Sequence, residues 1–314
     1  MSFENINNLK AQIHKSVIGH TQMIDALLIG LFCEGHILLE GVPGLAKTTA
    51  VKALASALDL EFKRVQFTPD LLPSDILGAQ IYNQKTNEFA VRKGPIFTNL
   101  LLADEINRAP AKAQSALLEV MQEKQVTIAD ESFVVPSPFL VLATQNPIEQ
   151  IGAYSLPEAQ LDRFMLKILV GYNTKEEELK IAKSQHEKNL IQKVLGADEL
   201  AQIKSKITQI HIDEEVEKYM IELVFATRNP LEYGLDNVAK NLSFGASPRA
   251  SIDLFKAAKA RAFLNGSDFV SPDDIAQIIK SVFRHRIILS YEAEANEITA
   301  DSVIDEILGA VAIP

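Results

Sequence analysis

With a single cysteine, Cys33, the 314-residue chain can close no internal disulfide and build no cysteine-rich metal site. That usage fits a reducing compartment. Long apolar runs are missing too: the longest, Ala26 to Cys33 (ALLIGLFC), reads as a buried helix. It falls far short of the roughly 18–20 residues that cross a bilayer. The amino-terminal MSFENINNLK lacks the charged-then-apolar plan of a secretory signal, so the expectation is a cytoplasmic protein with no membrane insertion. Basic residues are outnumbered: 31 Lys and Arg against 41 Asp and Glu leave a net charge of −10. That sign weighs against a broad electrostatic grip on nucleic acid. The histidines at 14, 20, 36, 186, 211 and 285 show no ligand spacing and read as scattered surface or helix-end imidazoles.

What is present is an ordinary globular mix, 47% hydrophobic and 23% charged, in a length that suits two compact domains or one large one. Residues 37–40 (ILLE) form a short apolar strand that runs into GVPGLAKTT (41–49), and an alanine-rich helical stretch comes next. EFKRVQF (61–67) alternates as a strand does, while FTNLLLADE (97–105) and PFLVLATQNP (138–147) read as buried parallel strands with polar carboxyl ends. Strands alternating with helices imply a parallel sheet covered on both faces, with ligands at the carboxyl ends. Residues 78–95 and 125–136 interrupt this scheme as two β-hairpins with no evident core role. After Val170 the pattern turns helical. Thr174 and Glu177 form a capping box for a helix expected to run to Gly196, and Ser247-Pro248 and Ser271-Pro272 read as helix starts. The last helix read carries an apolar stripe of Ile275, Ile278, Ile279, Val282 and Phe283, and no strand is expected in this half.

Strand, glycine loop, Lys-Thr and helix is the context of a phosphate-binding loop. Backbone N–H groups of residues 42–48 (Val42, Pro43, Gly44, Leu45 and Ala46 before Lys47 and Thr48) could cradle phosphates at the helix N-terminus, proline excepted. Lys47 would reach the β/γ oxygens of ATP, and the Thr48 hydroxyl would ligate Mg²⁺. Asp104 and Glu105 end a buried strand; alternation would send them to opposite sides, Asp104 toward the metal and Glu105 toward the attacking water as base. An acidic cap on the next helix is the plainer alternative. Asn146 could orient that water or donate to the γ-phosphate, or simply belong to an Asn-Pro turn. Arg163, in LPEAQLDRF, suits a transferring phosphoryl group and Arg249, two residues after Ser247, could touch the γ-phosphate, although a surface ion pair would explain Arg163 and a solvated helix-start arginine Arg249.

GVPGLAKT, LLLADE, ATQNP, LPEAQLDRF and GASPRA, in this order, resemble an AAA+ ATPase of the MoxR family across nearly the whole chain. The resemblance implies an α/β P-loop NTPase fold: a parallel five-stranded sheet flanked by helices, followed by a smaller all-helical lid. The expected organisation is a nucleotide-binding base domain over 1–170, a helical linker over 171–210 and the lid over 211–314. It further implies Walker A at Gly41–Thr48, with Thr49 continuing into the helix, Walker B at Asp104 and Glu105, sensor 1 at Asn146 and sensor 2 at Arg249. Arg163 matches the arginine finger acting on a neighbour's nucleotide, and Val17-Ile18-Gly19 the stretch that packs on adenine. ATP and Mg²⁺ are the implied cofactors. A hexameric ring, a protein client and a von Willebrand factor A domain protein are the implied partners. A nucleotide-gated scaffold, a DNA-translocating motor and a small-molecule kinase are the competing functions.

One letter departs from the loop pattern: Ala46 stands where glycine is usual, as is common in MoxR-type sequences. A left-handed backbone there would cost about 1–2 kcal/mol. The expectation is a negative φ at Ala46 with nucleotide bound.

Overall fold

A computed structural model describes residues 3–85, 87–147, 154–184 and 190–314. The chain divides into two compact units, Ser2–Phe164 with Ile168–Glu199, and Leu200–Pro314 with Met165–Lys167. The first unit opens with α1 (Phe3–His14), α2 (Thr21–Cys33), β1 (Ile37–Glu40), α3 (Lys47–Leu58), β2 (Phe62–Gln66) and α4 (Pro73–Leu77). A hairpin of β3 (Gly78–Asn83) and β4 (Glu88–Lys93) leads to β5 (Leu100–Asp104) and α5 (Ala111–Glu123). A second hairpin, β6 (Gln125–Ile128) and β7 (Glu131–Val134), precedes β8 (Leu140–Gln145), α6 (Glu158–Leu161), β9 (Leu166–Leu169) and α7 (Lys175–Ser184). As expected, ALLIGLFC lies in α2, which is buried from Met23 to Phe32.

Five strands form one sheet in the order β2-β5-β8-β1-β9. β1, β5 and β8 are apolar along almost their whole length because both faces are covered, which is what a parallel strand between helix layers requires. Leu38, Leu101 and Val141 of these strands pack with Phe67, Leu117 and Phe164, all fully buried. Each such side chain contributes about 1.5–3 kcal/mol of burial free energy. The fifth strand, LKIL, carries no comparable signal in the sequence: it is short, and Leu169 is exposed beside a lysine two residues earlier.

The hairpins differ from each other. β3–β4 exposes Ile81, Tyr82 and Phe89. By contrast, β6 buries Val126 and Ile128 in the main core, contrary to the reading that neither insert has a core role. QVTI alternates, and its apolar face is the one that turns inward.

Three other expectations are corrected. α7 is described as far as Ser184, and residues 190–196 are not helical, contrary to the helix expected to run to Gly196. Val194 there donates its N–H to Ala57 O, and Leu195 is fully buried, so this stretch is recruited against the end of α3. Residues 168–199 cluster with the first unit. The second unit contains α8 from Leu200 onward (Ala197–Gln209 in full), α9 (Glu214–Arg228), α10 (Asp236–Asn241), β10 (Leu242–Phe244), α11 (Pro248–Leu264) and α12 (Pro272–Phe283). β11 (Ile288–Leu289), α13 (Tyr291–Ala295) and α14 (Ala300–Ala310) complete it, so the striped helix α12 is not the last. β10 and β11 pair as a short antiparallel ribbon in the otherwise helical unit. Ser247 caps α11, and Ser271 with Asp274 forms a capping box on α12, whose five striped residues are all buried.

The histidines are not all surface groups. His285 is buried, His186 lies outside the described residues, and His36 is enclosed just before β1. His36 Nε2 donates to Met121 O at 3.0 Å and Nδ1 accepts from the Val141 N–H at 3.0 Å. Burial pulls its pKa from the ordinary 6.5 down to about 4. The unfolded chain takes up that proton at higher pH than the folded one, so this contribution is complete above the ordinary pKa and shrinks as pH falls toward 4. Urea unfolding should therefore lose up to about 1.4 kcal/mol per pH unit through this group in that window. His36→Gln should flatten the acid slope while lowering stability at neutral pH.

Candidate active site

Register builds the site. Leu39 lies beside Thr144 and Glu40 beside Gln145, while Ala103 pairs with Ala143 and Gln66 with Asp104. The strands are parallel, so the chain leaving β1, β8 and β5 emerges on one edge at one level. Gly41, Pro43 through Thr49, Arg64, Asp104, Glu105, Thr144 and Asn146 line a single pocket of about 320 Å³ there.

Two left-handed positions shape the loop: Gly44 at φ 89 and Ala46 at φ 52. The second turn immediately precedes Lys47, the first residue of α3, and brings the helix's first-turn N–H groups, which have no intrahelical partners, to the pocket. Buried Leu45 pins the loop between the turns. Ala46 thus takes the left-handed conformation here, in contrast to the negative φ expected for the nucleotide-bound loop, because the chain must reverse direction within one residue of the helix. Lys47 Nζ donates to Gly41 O at 2.7 Å. Burial pulls the ammonium below its ordinary pKa, while Asp104 and Glu105 oppose that shift by attracting the charge.

Asp104 closes β5, but Glu105 does not continue the strand: it is left-handed at φ 57. Strand alternation therefore does not apply, and both carboxylates line the same pocket rather than opposite sides. Thr144 clips the pair together. Its hydroxyl donates to Asp104 Oδ1 at 2.6 Å and accepts from the Glu105 N–H at 2.8 Å. Arg64 donates through Nε at 3.0 Å and Nη2 at 2.5 Å to Asp104 Oδ2. Glu105 Oε2 accepts from Gln66 Nε2 at 2.7 Å and Arg108 Nη1 at 2.9 Å. Arg64, Gln66, Arg108 and Thr144 escape a reading of the sequence. A weak signal exists for two of them, since Arg64 and Gln66 stand at i and i+2 on the strand that neighbours the acids.

Buried Asn146 joins the pocket, whereas Val42 does not line it. Val17, Ile18 and Gly19 also lie off its lining. Gly19, at φ 72, sits where a Cβ would strike Asn173, whose Nδ2 donates to Ile18 O at 3.0 Å. Arg163 comes just after α6, half-buried and outside the lining, and exposed Arg249 stands in the first turn of α11 in the second unit. No group of three His, Cys, Asp or Glu side chains that could hold a metal ion occurs among the described residues. The Thr48 hydroxyl and Asp104 carboxylate are hard oxygen donors that suit Mg²⁺, which keeps several waters and uses few protein ligands.

Residues 36–166 match the ATPase family associated with various cellular activities (AAA), and residues 236–307 match the AAA lid domain. Chaperone MoxR1 of Mycobacterium tuberculosis is 46% identical over 304 residues, 96% of this chain and 81% of the relative. Protein MoxR of Paracoccus denitrificans is 30% identical over 97% of this chain and 95% of its own. The crystal structure of a candidate ATPase from Cytophaga hutchinsonii superposes with a TM-score of 0.94 at 52% identity, covering 99% of this chain and 96% of that one.

Two substitutions test the geometry. Ala46→Gly should leave nucleotide affinity intact and raise the unfolding free energy by roughly 0.5–1 kcal/mol, the left-handed strain less glycine's extra chain entropy. Thr144→Val should cost about 1–3 kcal/mol of stability by orphaning buried partners, and should slow ATP turnover. Urea denaturation and a phosphate-release assay measure the two effects.

Proposed function

The chain belongs to the MoxR family of AAA ATPases, and on that premise we propose that it hydrolyses Mg²⁺·ATP at subunit boundaries of a ring, a hexamer by family pattern, to remodel or mature a protein client. One observation carries the reading: the lysine loop, both acids and Asn146 line one pocket. The first-turn N–H groups of α3 and Lys47 hold the β- and γ-phosphates. Thr48 and Asp104 would hold Mg²⁺, which would neutralise charge on the phosphate oxygens. Glu105 takes a proton from the attacking water, and Asn146 orients that water. By the family pattern Arg249 is assigned the sensor 2 role and Val17-Ile18-Gly19 the packing on adenine. Arg163, off the lining of its own pocket, serves the neighbour's nucleotide.

The chaperone reading comes from MoxR1, and a von Willebrand factor A domain protein is the partner that fits the family pattern. None of the described helices is long and apolar enough to cross a membrane, and we place the protein in the cytoplasm. A nucleotide-gated scaffold with little turnover is the second reading. The bond that ties Glu105 to Arg108 favours it, because a base so held must be released before it can accept a proton.

Glu105→Gln should retain ATP binding and lose about 10²–10⁴-fold in turnover, the usual weight of a general base. An unchanged rate would support the scaffold. Wild-type ATPase should rise faster than linearly with protein concentration. Arg163→Ala and Lys47→Ala, each inactive alone, should regain turnover when mixed; strictly additive rates would rule out shared sites.

A further inference from the structure

Lys47 and Arg64 are the two cations lining the pocket, and only Lys47 belongs to the phosphate loop. Arg64 comes from β2, beyond β5 from the loop, and lays two donors on Asp104 Oδ2. The other oxygen, Oδ1, is held by Thr144. Arg64 thus occupies Oδ2 with two donors, while Oδ1 carries one donor and keeps a lone pair for a metal or its water. Thr144 cannot yield cheaply: it is 1% exposed, and the same hydroxyl also accepts from the Glu105 amide. The Arg64 side chain, by contrast, is 48% exposed. The Asp104 side chain is 16% exposed, so only the arginine end of the pair faces water and can turn toward another anion. Once freed, a guanidinium anchored on β2 keeps its place beside the pocket, and its planar fork matches phosphate oxygens two at a time.

We propose that Arg64 is a further phosphate-binding residue, which leaves Asp104 for the terminal phosphate of the bound triphosphate and returns to Asp104 when that phosphate is gone. The inference rests on reading this pocket as the nucleotide site with Asp104 as its metal carboxylate. It makes Arg64 a reader of triphosphate against diphosphate supplied by the same subunit, apart from Arg163 and Arg249.

The test is calorimetric titration of the full chain with AMP-PNP and with ADP, in EDTA and again with Mg²⁺, for wild type, Arg64→Ala, Arg64→Lys and Lys47→Ala. Arg64→Ala should weaken AMP-PNP by roughly ten-fold or more, the value of a charge-assisted hydrogen bond, and leave ADP almost unchanged. The selective loss should persist in EDTA, where the metal carboxylate has no part. Arg64→Lys, which keeps the charge and loses the fork, should fall between, and it carries the test if the alanine variant melts below the assay temperature. Equal effects on the two nucleotides, or none, would overturn the proposal. Lys47→Ala should lose both; if it bound both normally, the assignment of the pocket itself would fall, a result distinct from failure at Arg64.

Discussion

In the central sheet Leu39 stands beside Thr144 and Ala103 beside Ala143, so β1, β8 and β5 run out level with one another. That alignment is the constraint on which the site depends. It places the GVPGLAKTT loop, Asn146 and the paired acids on one edge, although the three lie far apart in sequence. Burial of the three strands on both faces fixes the alignment, because a register slip would carry apolar side chains out of a core that includes Leu38, Leu101 and Val141. A rigid scaffold then supports a strained rim. Ala46 and Glu105 are both left-handed at the mouth of the pocket, each at a cost on the order of 1–2 kcal/mol. Strain of this kind persists where surrounding packing holds it, and it concentrates at sites of chemistry.

Charge at the rim is balanced by the protein's own side chains. Asp104 is met by Arg64, and Glu105 by Arg108 and Gln66. Lys47, half-buried and drawn toward both acids, completes the group. Two carboxylates this close would repel one another and raise the cost of folding if left unpaired. The pairing removes that cost and also restrains the acids, so a triphosphate and its counterion would compete with arginines rather than enter an empty field. Under the proposed mechanism, that competition would reconcile a stable fold with the release of Glu105 as base.

Much of the fold is legible where a signal is local. GVPGLAKTT sits between an apolar strand and an alanine-rich helix, LLLADE and FLVLATQ are continuous apolar runs, and Ser271 with Asp274 caps a helix within one turn. Legibility fails where the signal depends on distant chain. LKIL reads as nothing in particular until β1 offers it an edge. The stretch around Val194 reads as helix because its pull toward the end of α3 is invisible locally, and His36 reads as a surface group because its cage is built from Met121 and Val141. Glu105 reads as strand because nothing in LLLADE announces that the strand stops one residue earlier.

The sequence by itself determined the loop, the lysine and threonine beside it, the two acids, the strand-helix alternation and the family. Each of these is written within a contiguous stretch whose burial or backbone geometry comes from its own residues. Only the tertiary structure decided what those groups touch. Gln66 reaches Glu105 across 39 positions, and Arg64 and Thr144 each reach Asp104 across 40. Such partners are chosen by which strands lie side by side, and strand order is settled by packing the whole sheet rather than by any one segment of it.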